Sequence, residues 1–267
     1  MIISYIASSG NVYSLTTGII TRAANYLAWT FEPEATKLIY GERVSVFKKD
    51  ATVYKTNLIF RGSITHRKAV ITALHDDFER DIRNLTPGRL VFGNWYCDCY
   101  ITASSTQPSE SMDSWTENEI SIYVPSGFWV HEESKSFESQ RPESTGFLKY
   151  PYGYDYDYTP PEVTTDTWAS DSPFPSSFRM EIHGPCVNPS VLINGYTYLV
   201  WATIASGETL VIDSTNNTVM CGDNNLFDAR NKEYSVFEPI PPGNLTLEWG
   251  DFDFDLTLYE ERSEPKW

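Results

Sequence analysis

The chain has 267 residues, 15% of them aromatic, with 16 Pro and 15 Gly. That is room for one large domain or two ordinary ones, and a composition that favours short strands and turns over helix bundles. The formal charge of −16 is uneven, with 15 Lys and Arg against 19 Asp and Glu in residues 1–159 and 5 against 17 in residues 160–267, a balance that argues against nucleic-acid binding and against attraction to anionic membranes.

Residues 1–18 mix Ser, Asn and Tyr into their apolar positions and lack a charged start and a continuous apolar centre. Neither a secretory leader nor a membrane span is expected, and folding in a cytoplasm is. The four cysteines fit that expectation as buried free thiols: Cys97 and Cys99 are neighbours on one strand face, while Cys186 and Cys221 are far off in sequence.

One helix is predicted over 67–85, where Val70, Leu74, Phe78, Ile82 and Leu85 recur at spacings of four and three. Asp76 with Arg80 and Glu79 with Arg83 supply i,i+4 pairs on its wet side. Thr86-Pro87-Gly88 stops it, since proline disfavours helix in the residue before it and cannot donate into the ladder. Strands follow. Trp95, Cys97, Cys99 and Ile101 alternate with Tyr96, Asp98 and Tyr100, and Ile120, Ile122 and Val124 alternate with Ser121 and Tyr123, the period of half-buried strands. Between them the polar, Ser-rich stretch 102–118 reads as a long hairpin arm, longer than a turn requires and suited to reaching a neighbour.

Residues 150–158 (YPYGYDYDY) hold five tyrosines with no periodic aliphatic residues, and read as a linker at a domain boundary. Domains are expected over 1–149 and 178–267, joined by a Tyr/Pro/Ser-rich segment at 150–177. The second domain carries the cues of an all-β sandwich: turns at Asn194-Gly195, Ser206-Gly207 and Asn216-Asn217 separate strands expected over 196–204, 209–214 and 218–221. Leu245, Leu247 and Trp249 alternate on one phase and Phe252, Phe254, Leu256 and Leu258 on the other. Gly250, at the slip, reads as a β-bulge.

Chemistry is sparse. Asp251, Asp253 and Asp255 share one strand face and could hold a hard cation or divide acid and base roles, but they alternate with core aromatics, as a solvated face does. The histidines are His66, His75, His131 and His183; none lies in an HExxH pattern or pairs with a GxSxG serine, and no glycine-rich phosphate loop is present. Cys97-Asp98-Cys99 and His183 with Cys186 lack four-ligand zinc spacing, and Arg43, Lys48 and Lys49 are too few for a nucleic-acid patch. No catalytic, metal or cofactor residue is therefore assigned. A carbohydrate-binding sandwich is the alternative function, with Trp168, Trp201, Trp249 and Tyr196 as candidate stacking rings.

Several words in order resemble a known family. They are Gly93-Asn94-Trp95-Tyr96, Pro125-Ser126-Gly127-Phe128-Trp129, the tyrosine tract, Asn188-Pro189-Ser190 with Ile193-Asn194-Gly195, Gly207-Glu208 with Ile212-Asp213, Phe237-Glu238 with Ile240-Pro241-Pro242-Gly243, and 261–267 (ERSEPKW). Together they resemble the distal tail (Dit) proteins of siphophages. The resemblance implies a mainly β chain: an N-terminal β-sandwich or barrel-like domain with one α-helix and an extended belt arm, here 102–118, and a C-terminal galectin-like jelly-roll sandwich. It implies a homo-hexameric hub ring at the distal end of the virion tail, assembled in the host cytoplasm. Its partners would be the tail tube protein, the tail-associated tip protein and, in some phages, a receptor-binding protein. It supplies no catalytic residue and no cofactor, and a sandwich fold by itself confers no sugar binding.

Overall fold

The computed structural model describes residues 3–17, 19–22, 24–107, 115–139 and 163–266. Among these residues the chain is mainly β, in antiparallel sheets, with one α-helix. Contacts divide it into two compact units, Met1–His131 with Glu261–Trp267, and Glu132–Glu260. The junction expected over 150–177 differs from this division. The tyrosine tract lies outside the described residues, and Thr164–Ser170 is a paired strand, not a linker.

In chain order the first unit holds β1 (Ile3–Ile6), β2 (Val12–Ser14), β3 (Ile19–Arg22), β4 (Glu32–Lys37), β5 (Glu42–Lys48), β6 (Thr52–Arg61), α1 (Ile64–Arg83), β7 (Gly88–Phe92), β8 (Trp95–Gln107), β9 (Trp115–Val124) and the start of β10 (Trp129–Phe137). One layer runs β2-β1-β7-β8 and the other β3-β6-β9-β8. The long strand β8 serves both. Trp95 to Cys99 pairs with β7, a register shift between Ile101 and Ala103 bends the strand, and the remainder pairs with β9, as a bulge that lets one strand turn a corner between layers. The predicted alternation holds: Trp95, Cys97, Cys99 and Ile101 are buried, as are Ile120, Ile122 and Val124.

The hairpin expected at 102–118 is largely part of this sheet. β8 continues to Gln107 and β9 begins at Trp115, paired with both β8 and β6. Buried Asn118 binds Ser104 Oγ at 3.0 Å, and its Nδ2 lies 2.8 Å from His75 Nε2 on α1. The chain at 108–114 lies outside the described residues.

The helix starts where Ser63 caps it, its hydroxyl accepting from the His66 amide at 3.3 Å. It ends at Arg83, with Leu85 in a left-handed conformation. Leu74 and Phe78 are buried as predicted, but Ile82 and Leu85 are exposed, and Asp77 and Asp81 take their place inside. Glu79 pairs with Arg83 as expected, whereas Arg80 turns to Asp77 at 2.6 Å and not to Asp76. The inward face is polar because it meets the β1–β2 turn. Asp81 accepts from the Tyr5 hydroxyl, the Ser8 amide at 3.1 Å and the Ser8 hydroxyl. Asp77 accepts from Ser9 at 3.0 Å, Asn11 at 2.9 Å and Tyr13 at 2.5 Å. Gly88 makes room for this knot, since a Cβ there would collide with the Tyr5 hydroxyl and sit 2.8 Å from Asp81 Oδ2.

The second unit continues with the rest of β10, then β11 (Thr164–Ser170), β12 (Ser177–His183), β13 (Cys186–Val187), β14 (Ser190–Ile193), β15 (Tyr196–Leu199), β16 (Thr203–Ile204), β17 (Thr209–Asp213), β18 (Thr218–Cys221), β19 (Asn224–Asn225), β20 (Gly243–Trp249) and β21 (Phe254–Arg262). One sheet runs β19-β18-β17-β12-β21-β10 and the other β11-β20-β14-β15. Between them sits a core that includes Phe137, Trp168, Phe178, Met180, Trp249 and Phe254. The turns at Asn194-Gly195, Ser206-Gly207 and Asn216-Asn217 are where the sequence puts them. At the first, both residues have positive φ, 50° and 81°, as a type I′ hairpin requires. The strand expected over 196–204 is interrupted at Val200, which bridges to Arg230. Gly250 is not a bulge within one strand. It lies between β20 and β21, which belong to opposite sheets. Both apolar phases therefore face one core.

Replacing Asp81 by Ala leaves the buried Tyr5 hydroxyl without its acceptor and removes the part-buried bond from the Ser8 amide. It should lower stability by about 3 kcal/mol, read from the urea midpoint. Glu79→Ala, at an exposed pair, should change it by less than about 0.5 kcal/mol. Asp77 also gives a pH dependence. Burial would raise its carboxyl, yet the hydrogen bonds from Tyr13, Asn11 and Ser9, with Arg80 beside it, hold it below its ordinary value of 3.8. A depressed folded value stabilises above the unfolded one and is lost as pH falls through the folded one. Urea midpoints taken from about pH 6 down to about pH 3 should fall at the acid end, and Asp77→Asn should flatten that fall in the first unit.

Candidate functional site

The most unusual surface in the chain is the β4–β5 hairpin. Its strands pair only with each other among the described residues, with a register shift at Glu34/Ala35, and every residue in both is exposed. A two-stranded ribbon alone is marginal in water. This one also displays Val44, Val46 and Phe47, and at its tip Leu38, Ile39 and Tyr40, the last two 92% and 94% exposed. Apolar groups gathered on such a projection mark an interaction surface.

The ribbon is held together internally and at its root. Lys48 pairs with Glu34, the Ser45 hydroxyl donates to the Glu34 carbonyl at 2.9 Å, and the Leu38 amide donates to the Gly41 carbonyl at 2.9 Å, with Gly41 at φ 90° closing the turn. Lys49, just past β5, places its ammonium 4.5 Å from the centre of the Phe128 ring and 5.1 Å from that of Phe31. Its Nζ is buried without a hydrogen-bond partner, and burial pulls its pKa down to about 8. Rings on two sides replace the lost water contacts of the cation. No strong alternation with buried residues marks 32–48 in sequence, because neither face is buried. The readable signal was Gly41 at the centre of two charged, β-branched segments.

A cleft of about 220 Å³ opens on the first unit between β2, β6 and α1. Val12, Ile19, Phe60 and Val70 give it an apolar wall, and Arg61, His66 and Arg67 line its other side. Arg67 is 7% exposed; one terminal nitrogen donates to the Thr116 hydroxyl at 3.1 Å, but its buried Nε has no partner. Desolvating a donor without an acceptor costs free energy, and this one is closed off from the cleft as well as from solvent.

The residues singled out for chemistry disperse. Asp251, Asp253 and Asp255 alternate with buried Phe252, Phe254 and Leu256. Asp253 accepts from the Ser139 amide at 2.7 Å and hydroxyl at 3.0 Å. Asp255 binds His183 Nε2 at 2.9 Å, and hydrogen bonds from Ser136 and His183 hold its carboxyl below the usual range. Thr209 Oγ1 is 3.3 Å from the other His183 nitrogen, so the structure contains a Thr-His-Asp chain that the sequence did not reveal. It lies on a half-exposed sheet face. Cys97, Cys99, Cys186 and Cys221 are free thiols, the first two in the core with burial raising both. Of the candidate stacking rings, Trp168 and Trp249 are core residues and Tyr196 packs edge-on against Tyr234, its hydroxyl donating to the Ser235 carbonyl at 3.1 Å. Trp201 alone of the four stands out, 57% exposed.

Among the described residues no group of three or more His, Cys, Asp or Glu is placed to hold a metal ion, and no helix is long and apolar enough to cross a membrane. No protein-family profile matches the chain, and no curated protein matches it. Solved structures do. The Dit protein of phage SPP1, described as a paradigm of the hub adsorption apparatus in phages infecting Gram-positive hosts, aligns with a TM-score of 0.66 at 8% identity, covering 98% of this chain and 100% of that one. A chain of the phage P2 baseplate, activated with Ca, gives 0.61 at 11% identity over 99% and 100%. The corresponding structure with Sr gives 0.62 at 12% identity over 99% of both. At such identities the likeness is one of fold. This chain has the β-rich fold of phage distal tail and baseplate hub proteins.

The two kinds of tryptophan separate in a stability measurement. Trp249→Ala should lower stability by about 3–5 kcal/mol through the cavity it leaves, whereas Trp201→Ala should stay within about 0.5 kcal/mol, both read from thermal or urea unfolding.

Proposed function

We propose that this chain is a structural, non-catalytic hub protein of a phage tail. In this reading it forms a homo-hexameric ring at the distal end of the virion tail, between the tail tube protein and the tail-associated tip protein, with a receptor-binding protein as a further partner. The observation that carries the reading is a hub fold matched over 98% of the chain together with an apolar ribbon that has no partner among the described residues. A closed ring needs two different complementary patches on every subunit. The ribbon β4–β5 supplies one, and with it the arm role expected of 102–118, whose two strands are built into the sheet. Ring formation belongs to the first unit, and docking of tip components to the sandwich of the second. Assembly takes place in the host cytoplasm. The uncharged, aromatic character of the ribbon tip suits protein contact, and the acidic second half suits neither nucleic acid nor an anionic membrane.

Light scattering of the purified chain should give a mass near six subunits, and negative-stain images should show rings. A monomer at every concentration would sink the proposal.

A further inference from the structure

We infer that the cleft between β2, β6 and α1 is a binding site for a phosphate monoester carrying a small apolar group, held by Arg61 and His66 and balancing the buried charge of Arg67. The site is independent of the hub reading, and neither stands or falls with the other.

Arg67 is a cation out of balance. It is 7% exposed, yet among the described residues the only hydrogen bond of its side chain runs from one terminal nitrogen to the neutral Thr116 hydroxyl. No carboxylate among those residues pairs with it. A buried charge is ordinarily paired, because its lost hydration must be offset by an opposite charge and by hydrogen bonds. The cleft gathers further positive groups and no acid. Arg61 and His66 line it beside Arg67, both exposed and neither in an ion pair among the described residues. Two guanidiniums, which stay protonated in proteins, thus line one opening without an anion, in a chain whose formal charge is −16.

Charge selects the ligand. A phosphate monoester carries about 1.5 to 2 negative charges at pH 7 and matches the two guanidiniums, whereas a carboxylate or a phosphodiester, with one, leaves a cation uncompensated. Arginine grips phosphate oxygens through paired N–H donors, and Arg61 is free to do so. Arg67, whose Nε is closed off, contributes through its charge. The hydroxyls of Ser14 and Thr17 line the same cleft as further donors. Its apolar wall of Val12, Ile19, Phe60 and Val70 has no contact to offer inorganic phosphate, but it does offer one to a carbon-bearing ester. With about 220 Å³ in all, the cleft holds the phosphate and a group no larger than a ring, since a cavity of about 150 Å³ already takes benzene.

The test is isothermal titration calorimetry on the full chain, with phenyl phosphate as the probe against inorganic phosphate and benzoate. Phenyl phosphate should bind at least about tenfold more tightly than either, since inorganic phosphate lacks the apolar contact and benzoate the second charge. Arg61→Ala, at an exposed residue with no ion pair among those described, should weaken phenyl phosphate at least about tenfold without changing thermal unfolding in phosphate-free buffer. Arg67→Met keeps the reach of the side chain, removes its charge and should abolish binding. Because it also removes an uncompensated buried cation, the unliganded variant should unfold at no lower temperature than the unaltered chain. Benzoate binding as tightly as phenyl phosphate would overturn the choice of ligand. No binding by the unaltered chain, or binding that both variants keep, would overturn the site. Ring formation is read separately, by light scattering, and none of these outcomes bears on it.

Discussion

Two carboxylates on the inner face of a helix hold the first unit in shape. Removing a charged oxygen pair from water costs several kcal/mol, and it is tolerated only when donors surround it. Asp81 is fully buried and Asp77 nearly so. Tyr5, Ser8, Ser9, Asn11 and Tyr13 all converge on them from the β1–β2 segment, with Arg80 completing the set around Asp77. These contacts fix the rotation of α1 about its axis, since a quarter-turn would carry both acids away from their donors. They also fix the residue at Gly88, which must lack a side chain for Tyr5 to reach Asp81. Burial and the bond to Asp81 push the Tyr5 hydroxyl well above its usual pKa, so it remains a donor.

The same knot shows where local pattern is a good guide and where it is not. Strands with one face in the core announce themselves, as Trp95 to Ile101 and Ile120 to Val124 do, because alternation is the trace left by a dry side and a wet side. Paired turn residues such as Asn194-Gly195 are legible because few residues accept their backbone angles. The helix was legible as a helix, but its inner face was not: Asp77 and Asp81 look like wet-side residues until the donors from a segment some seventy positions earlier are known. Gly250 misled for a related reason. A change of phase looks alike whether a strand bulges or whether two strands cross from one sheet to the other, and only pairing partners decide between them.

The ribbon and the cleft were the least legible features. A ribbon with no buried face has no periodicity to report, and a cleft assembled from β2, β6 and α1 has no contiguous residues to spell a motif. The words that were legible, from the tryptophan strand to the last residues, pointed to an architecture. That architecture positions both features without encoding either as a local sequence signal. Of the four rings named for sugar stacking only Trp201 is exposed, since the same aromatic richness that fills a β-sandwich core also imitates a binding surface in sequence.

The order of pairing along the chain has a consequence for how the protein comes off the ribosome. β1 pairs with β2 but needs β7 on its other edge, more than eighty positions later, and its tyrosine needs an acid from α1. In the second unit β11 finds its partner in β20 and β10 finds one in β21. Such distant pairings carry a loop-closure cost that must be met before any contact rewards it. The β1–β2 segment therefore waits, unsatisfied, until the helix and the strands after it emerge, and the sandwich cannot close until β20 and β21 have emerged. The first unit waits as well for its own closing piece, Glu261–Trp267, so neither unit is complete until the chain has passed β21.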